Sequence, residues 1–71
     1  MAKNYYSVLG VTPNAEPAVI KAAYKALSNI YHPDKNPDNI EEANRKMAKI
    51  NEAWEILSNK ERKSKYDAEF H

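Results

Sequence analysis

Three side chains that could take part in chemistry lie within four residues of one another, at His32, Asp34 and Lys35. An imidazole beside a carboxylate is the pairing of a general base with the group that orients it. An enzyme would also need a nucleophile, yet the chain has no cysteine, and Ser28 is predicted to lie inside a helix. No glycine-rich loop offers an oxyanion hole. We therefore expect no catalytic residue.

A metal site at the same place has little support from the residue types. His32, Asp34 and Asp38 provide one imidazole and two carboxylates. No second histidine and no cysteine follow at a spacing typical of zinc sites. The oxygen-bearing side chains do not follow the pattern of a calcium-binding loop either. We therefore expect no bound metal at this loop.

The stretch that carries these side chains, residues 31–39, interrupts a helical pattern. Pro33 disfavours the helical conformation for His32, and Pro37 does the same for Asn36. The density of Asp, Asn and Pro predicts a turn-rich loop without helix. Two prolines so close together should also make this loop stiffer than a glycine-rich one.

Size and composition predict one all-α domain covering residues 1–71. The chain has a single glycine and no cysteine, so its stability must come from helix packing. No apolar run approaches the roughly 20 residues needed to span a bilayer. The first residues do not resemble a signal peptide, so a cytoplasmic location is expected. Nothing in the sequence demands more than a monomer.

Four helices are predicted to position the loop. Asn4 caps a first helix from Tyr5 to about Leu9, which Gly10 ends. A second helix begins near Pro17 without a side-chain cap, and a third opens around Glu41 and Glu42. Ser58 is predicted to cap a short, basic fourth helix through a capping box with Glu61, with Tyr66 as its main apolar anchor.

The second and third helices each carry an apolar stripe at helical spacing, which predicts that they pack together. Their similar lengths and the short connection between them predict an antiparallel hairpin with the loop at its tip. The stripes are Ile20, Ala23, Tyr24, Leu27 and Tyr31 on one helix, and Ala43, Met47, Ile50, Trp54 and Leu57 on the other. Ala53 flanks the second stripe. If Trp54 is a core residue, Trp54→Ala should cost roughly 3–5 kcal/mol of stability.

The outer side of the second helix is basic, and this pattern has more than one interpretation. Lys21 and Lys25 lie opposite the apolar stripe, and Lys35 follows in the loop, while the net charge of the chain is only +1. These lysines could dock an acidic partner or simply face solvent. The aromatic residues could form a base-stacking surface for a nucleic acid, although helical spacing is more typical of a core. From the residues alone, His32 and Asp34 equally well form a contact surface or merely end a helix.

A family resemblance favours the contact surface. Residues 4–11, NYYSVLGV, look like the opening of a J-domain, the module that defines DnaJ-type cochaperones, and residues 20–27, IKAAYKAL, resemble its second helix. Residues 31–36, YHPDKN, carry its signature tripeptide. Residues 50–58, INEAWEILS, and the segment from Arg62 to Asp67 resemble its third and fourth helices. The similarity covers residues 4–67 in order.

This resemblance implies a four-helix J-domain that performs no chemistry itself. J-domains bind a DnaK-type (heat-shock-70 class) chaperone and stimulate its ATP hydrolysis, while ATP and magnesium are bound by that partner. By the family pattern, His32, Pro33 and Asp34 deliver the signal, and Lys21, Lys25 and Lys35 match the docking face. The alternatives are a small basic nucleic-acid-binding domain and a J-like module that serves only as an assembly surface.

The chain departs from the family pattern on the second and third helices. Ala22, Ala26 and Ile30 occupy positions where a basic residue is common. Electrostatic docking should therefore be weaker, or tuned to a particular partner. Met47 stands where a core Phe is usual and Trp54 where Tyr is usual, so that a smaller and a larger side chain partly compensate in volume.

Overall fold

The computed structural model describes residues 4–70, in which four α-helices and one short 3-10 turn account for the regular structure. The helices are α1, Tyr5–Leu9; α2, Pro17–Tyr31; α3, Ile40–Leu57; and α4, Lys60–Phe70; the 3-10 turn is Pro33–Lys35. The predicted all-α fold is confirmed. The first three residues, on which the expectation about a signal peptide rests, lie outside the described range.

Local signals at both ends of α1 act as predicted. The Oδ1 atom of Asn4 accepts the backbone N–H of Ser7 at 3.1 Å, which satisfies one of the donors left free at a helix start. Gly10 ends the helix in the left-handed conformation with φ of 69°, a region that a residue without Cβ enters at no steric cost. These two residues confine α1 to little more than one turn.

Helices α2 and α3 form the predicted antiparallel hairpin, and α1 and α4 pack against it. Pro17 takes the first position of α2, and Glu16 makes no side-chain capping bond, as the sequence indicated. Tyr66 of α4 reaches α1 through its hydroxyl oxygen, which accepts the backbone N–H of Tyr5 at 3.0 Å. The short first and last helices are therefore held to each other as well as to the hairpin.

The predicted capping box at the start of α4 is wrong. Ser58 has helical backbone angles, and its N–H donates to the carbonyl of Trp54 at 2.8 Å, so it still belongs to the last turn of α3. The cap is Asn59, whose Oδ1 accepts the N–H of Arg62 at 3.0 Å. An Asn cap placed one residue later moves Glu61 from the third helical position to the second, where it cannot complete a capping box.

Both predicted stripes face the core, but on α2 only Ile20 is buried, and the other members of its stripe pack against the core partly buried. The buried apolar side chains of the core are Tyr6, Leu9, Ile20, Ala43, Ile50, Ala53, Leu57 and Tyr66. Ala53 is fully buried, whereas Trp54 packs against the core only partly buried. The small Ala53 side chain allows neighbouring helices to approach α3 closely, and the larger indole is left at the edge.

The position of Trp54 at the edge changes the stability expected of its variant. Its ring stacks on that of Tyr24 of α2, with centroids 4.7 Å apart and planes 10° apart. Because the indole is only partly buried, Trp54→Ala removes less packing than a core truncation does. Its cost should fall below the roughly 3–5 kcal/mol of a fully buried aromatic residue.

A cluster of Tyr6, Lys63 and Asp67 joins α1 to α4. The Tyr6 hydroxyl and the Lys63 ammonium both donate to the Asp67 carboxylate, the latter at 3.0 Å. Burial, and then the hydrogen bond to Asp67, raise the pKa of Tyr6 above its ordinary value. The hydrogen bond to Asp67 is also the main cause that raises the pKa of Lys63. Both groups therefore hold their protons more tightly in the folded protein.

This cluster predicts a loss of stability in alkali. Its contribution is complete below the ordinary pKa values of 10.0 for tyrosine and 10.5 for lysine. It is lost as the pH rises through the higher folded values, because the unfolded chain releases these protons first. Chemical denaturation followed by circular dichroism from pH 8 to about pH 11 measures this decline, and Tyr6→Phe should flatten it. A free energy of unfolding that stays constant over this range would contradict the prediction.

Candidate functional site

The tip of the hairpin is built by the change in backbone conformation at His32. This residue is extended, with φ of −63° and ψ of 134°, and it ends α2, as the following proline requires. Pro33–Lys35 then form the 3-10 turn, closed by a hydrogen bond of 2.9 Å from the Lys35 N–H to the carbonyl of His32. The prediction of a loop without helix is therefore wrong for these three residues, because a proline lacking a donor fits the first position of such a turn.

The His32 imidazole contacts Asp34 mainly through the backbone. Its Nδ1 atom accepts the N–H of Asp34 at 3.2 Å, and the same atom lies 3.7 Å from the Asp34 carboxylate. Because Nδ1 accepts this backbone hydrogen bond, it does not at the same time donate to the Asp34 carboxylate. The Asp34 side chain remains 89% exposed, and that of His32 is 52% exposed. The imidazole thus fixes the backbone of Asp34 and leaves its carboxylate open to a partner.

Asn36 is a positioning residue that the sequence reasoning missed. Its side-chain amide donates to the carbonyl of Ile30 at 2.8 Å and to that of His32 at 2.9 Å. Both carbonyls lie at the end of α2, where backbone acceptors lack partners within the helix. The available signal was an amide side chain between two prolines just after a helix. This residue ties the turn back onto α2.

Replacement of Asn36 by alanine should loosen the tip without unfolding the domain. Two partly exposed hydrogen bonds are lost, at a cost of about 1–2 kcal/mol. Amide hydrogen exchange measured by NMR should be faster at Asp34 and Lys35 than in the native chain. Asn39→Ala is the matched control, because Asn39 precedes α3 without a side-chain capping bond. Equal exchange in the two variants would contradict this role of Asn36.

The three candidate docking lysines are brought together along α2. Lys21, Lys25 and Asn29 follow one another at one-turn spacing, so they lie on one side of the helix. Lys35, which belongs to the 3-10 turn, donates from its ammonium to the Asn29 Oδ1 at 3.0 Å. We call Lys21, Lys25 and Lys35 the basic strip. All three side chains are exposed, and the strip runs from the start of α2 to the tip.

The departures from the family pattern also lie on the exposed surface of α2. Ala22 and Ala26 are exposed beside the basic strip, and Ile30 has 57% of its surface accessible. Part of the surface where basic residues were expected is therefore apolar. Without basic residues at these three positions, the positive surface of α2 is a single row of lysines.

Five of the aromatic residues pack on one another rather than forming an open row, and the Lys46 ammonium lies over the ring of Tyr31. The Tyr66 ring lies 4.9 Å from that of Tyr5 and 5.7 Å from that of Tyr6. Tyr24 and Trp54 stack together, as described above. A base-stacking surface needs free ring faces, so this arrangement gives no specific support to nucleic-acid binding.

Two further features of the described residues bear on function. Within residues 4–70, no group of three or more His, Cys, Asp or Glu side chains is arranged to hold a metal ion. In the same range, no helix has the length and apolar character needed to cross a membrane.

Comparison with known proteins gives consistent similarities. Residues 4–67 match the family model described as "DnaJ domain". The chain is 53% identical over 64 residues to DnaJ homolog subfamily B member 8 of Mus musculus, a match covering 90% of this chain and 28% of that protein. It is 49% identical over 67 residues to Chaperone protein DnaJ of Chlorobaculum tepidum, covering 94% of this chain and 16% of that protein.

The fold has a similar solved relative. A solution structure of the J-domain of a mouse DnaJ-like protein superimposes with a TM-score of 0.85 at 40% sequence identity. The match covers 94% of this chain and 77% of the mouse domain. The chain thus resembles one J-domain over most of its length, and it spans less than a third of the two full-length relatives described above.

Proposed function

The chain belongs to the DnaJ domain family, and from this membership we propose that it binds a DnaK-type (heat-shock-70 class) chaperone and stimulates its ATP hydrolysis. One observation carries the proposal for this chain: the tripeptide His32-Pro33-Asp34 lies at the tip of the helical hairpin, with the side chains of His32 and Asp34 exposed. The turn is held by hydrogen bonds to the end of α2, while the Asp34 carboxylate makes few contacts of its own. A rigid turn with a free charge suits signalling to a partner.

In this proposal, each residue of the tip has its own task. Asp34 pairs with a cationic group of the chaperone, because its carboxylate is negatively charged and its side chain is 89% exposed. His32 holds the backbone that carries this carboxylate by accepting the Asp34 N–H. Pro33 begins the 3-10 turn and limits its backbone freedom. The domain works by binding one conformation of the chaperone better than another.

The basic strip supplies the docking surface of the proposed complex. Lys21, Lys25 and Lys35 form no ion pair with the described residues, so their charges are available to an acidic surface of the chaperone. Exposed charges of this kind increase the rate and specificity of association more than the affinity. Since one row of lysines is narrower than the family pattern, we expect docking that is weaker or restricted to a particular chaperone.

The proposed domain needs no cofactor and is not an enzyme. ATP, magnesium and the catalytic groups all belong to the chaperone, and the domain changes only the rate of the chaperone's own reaction. A single-turnover ATPase assay with a DnaK-type chaperone tests this proposal directly. Hydrolysis should become faster as the domain is added. No acceleration with any of several such chaperones, by a domain shown to be folded, would contradict it.

The docking role of the basic strip predicts a dependence on salt. Raising the salt concentration from about 50 mM to about 300 mM should weaken stimulation, because exposed charges are increasingly screened. Lys25→Ala should lower stimulation about two- to fivefold at low salt, and the difference from the native chain should shrink at high salt. Lys49→Ala, on the exposed surface of α3, is the control. Stimulation that does not change with salt would argue against docking through the strip.

Two alternative functions have separate readouts. A nucleic-acid-binding domain would shift a labelled oligonucleotide in a gel, and the shift would weaken steeply with salt. A module that serves only for assembly would fold normally and leave chaperone hydrolysis unchanged. Neither result is expected if the proposal is correct.

A further inference from the structure

A cleft of about 680 Å³ lies at the end of the molecule opposite the tip, between the start of α2, the end of α3 and the start of α4. This volume falls within the range of about 300–1,000 Å³ typical of ligand-binding clefts. The proposed function uses the tip and the outer side of α2, and it assigns no role to this cleft.

The inner surface of the cleft is apolar. Ile20 and Leu57, which are buried core residues, form its base, and Ala18 and Trp54 line it nearer to solvent. Trp54 is a large aromatic side chain left partly exposed here, although the sequence places it in a core stripe. Large aromatic side chains are enriched among residues that dominate binding energy at interfaces. The cleft therefore offers a place for one apolar side chain of a ligand.

The charged side chains that line the cleft are all positive. Lys21, Lys60 and Lys63 line it, and no carboxylate occurs among the described residues of its lining. Lys63 is engaged by Asp67, whereas Lys21 and Lys60 form no ion pair with the described residues. Helix α4 begins at Lys60, so the positive end of its dipole lies at the same edge. Negative charge on a ligand would therefore be favoured on either side of an apolar group.

We propose that this cleft binds an acidic peptide segment of another protein, with one apolar side chain inserted beside Trp54 and carboxylates placed against Lys21 and Lys60. The apolar base of the cleft is the reason for proposing an apolar side chain in the ligand. The lysines are the reason for proposing carboxylates on either side of it. This site is separate from the tip and goes beyond the proposed stimulation of a chaperone. Lys21 belongs to both surfaces, so the cleft continues the basic strip around the start of α2.

Trp54 gives the test its readout, since it is the only tryptophan of the chain. The probe is a capped peptide with one leucine between two pairs of glutamates, added to the full chain without any chaperone. The intrinsic fluorescence of Trp54 should change as the peptide is added and should reach a plateau at high peptide concentration. A peptide with serine in place of leucine should bind at least fivefold more weakly, because the apolar anchor is missing.

Lys60→Glu and Lys49→Glu form a matched pair for this test. Both make the same change in net charge at exposed lysines, but only Lys60 lines the cleft. Lys60→Glu should weaken binding about tenfold, because repulsion replaces attraction at the contact. Lys49→Glu should change the affinity for the peptide less than twofold. An acid at the start of a helix is favourable, so the Lys60 variant is expected to fold.

Three results would overturn the proposal: no saturable change, equal weakening by the two lysine variants, or equal binding of the leucine and serine peptides. An oligonucleotide that causes the same saturable change in Trp54 fluorescence at the same concentrations as the leucine peptide would overturn it too, because phosphate charge alone would then suffice. Since no chaperone is present, failure here is distinguishable from failure of the proposed chaperone stimulation.

Discussion

Asp34→Asn should abolish most of the stimulation of ATP hydrolysis while leaving the domain folded. The variant removes the carboxylate charge that is proposed to pair with a cation of the chaperone. Loss of one partner from such a contact typically costs about 2–5 kcal/mol, which corresponds to a decrease of roughly 30-fold or more. In the free domain the Asp34 side chain is 89% exposed, so the thermal midpoint should hardly change.

His32→Gln should also lower stimulation, for a different reason. The imidazole holds the Asp34 N–H at 3.2 Å, and the longer, flexible glutamine side chain does not offer an acceptor in the same rigid position. The Asp34 carboxylate keeps its charge, but the backbone of the turn that carries it is held less firmly. We expect a decrease of about tenfold, smaller than that of Asp34→Asn, because orientation is impaired and the charge remains.

Asp38→Asn is the matched control for both variants. Asp38 is an exposed acid in the same connection between α2 and α3, beyond the tripeptide. The assay is single-turnover hydrolysis by a DnaK-type chaperone, and circular dichroism is measured on each variant. If folded Asp34→Asn stimulates as well as the native chain, or if Asp38→Asn is equally impaired, the role proposed for the tripeptide is wrong.

Ile20→Ala should leave the domain largely unfolded at 25 °C. Ile20 is 1% exposed and packs in the cluster that joins α2 to α1, α3 and α4. Truncation of a buried isoleucine to alanine costs about 2–5 kcal/mol. A helical core of this size, without disulfides or metal, typically provides only about 3–5 kcal/mol in total. The loss is therefore comparable with the whole stability.

Ile30→Ala makes the same chemical change on the same helix and is the control. Its side chain is 57% exposed, so the variant should lose less than about 0.5 kcal/mol. Urea denaturation followed by circular dichroism compares the two variants. Similar midpoints would show that the assignment of the core side of α2 is wrong.

Helix positions followed closely from local sequence signals. Asn4 and Gly10 bound α1, and Pro17 starts α2, because each acts through its own backbone conformation or through a hydrogen bond within the same turn. The capping of α4 was misassigned by one residue. Ser58 and Asn59 are both suitable caps, and the choice depends on how far α3 continues, which local sequence does not determine.

The arrangement of the site was less accessible to sequence reasoning. The tripeptide and the lysines were identified by residue type and family resemblance, and their roles in binding stay predictions. The anchoring of the turn by Asn36 was missed, since its acceptors, the carbonyls of Ile30 and His32, become adjacent only once the chain reverses. The link from Lys35 to Asn29 depends on the same reversal.

By itself, the sequence determined that the chain is all-α and that a proline-containing turn separates its second and third helices, and its resemblance to a known family indicated a J-domain. These features depend on periodicity, on proline and glycine, and on short motifs, all of which act over a few residues. Only the tertiary structure decided that Ala53 rather than Trp54 is fully buried, that Lys35 joins the basic strip, and that a cleft with lysines along its edge opens beside Trp54. Each of these depends on how closely helices that are distant in sequence approach one another, which is set by packing of the whole core.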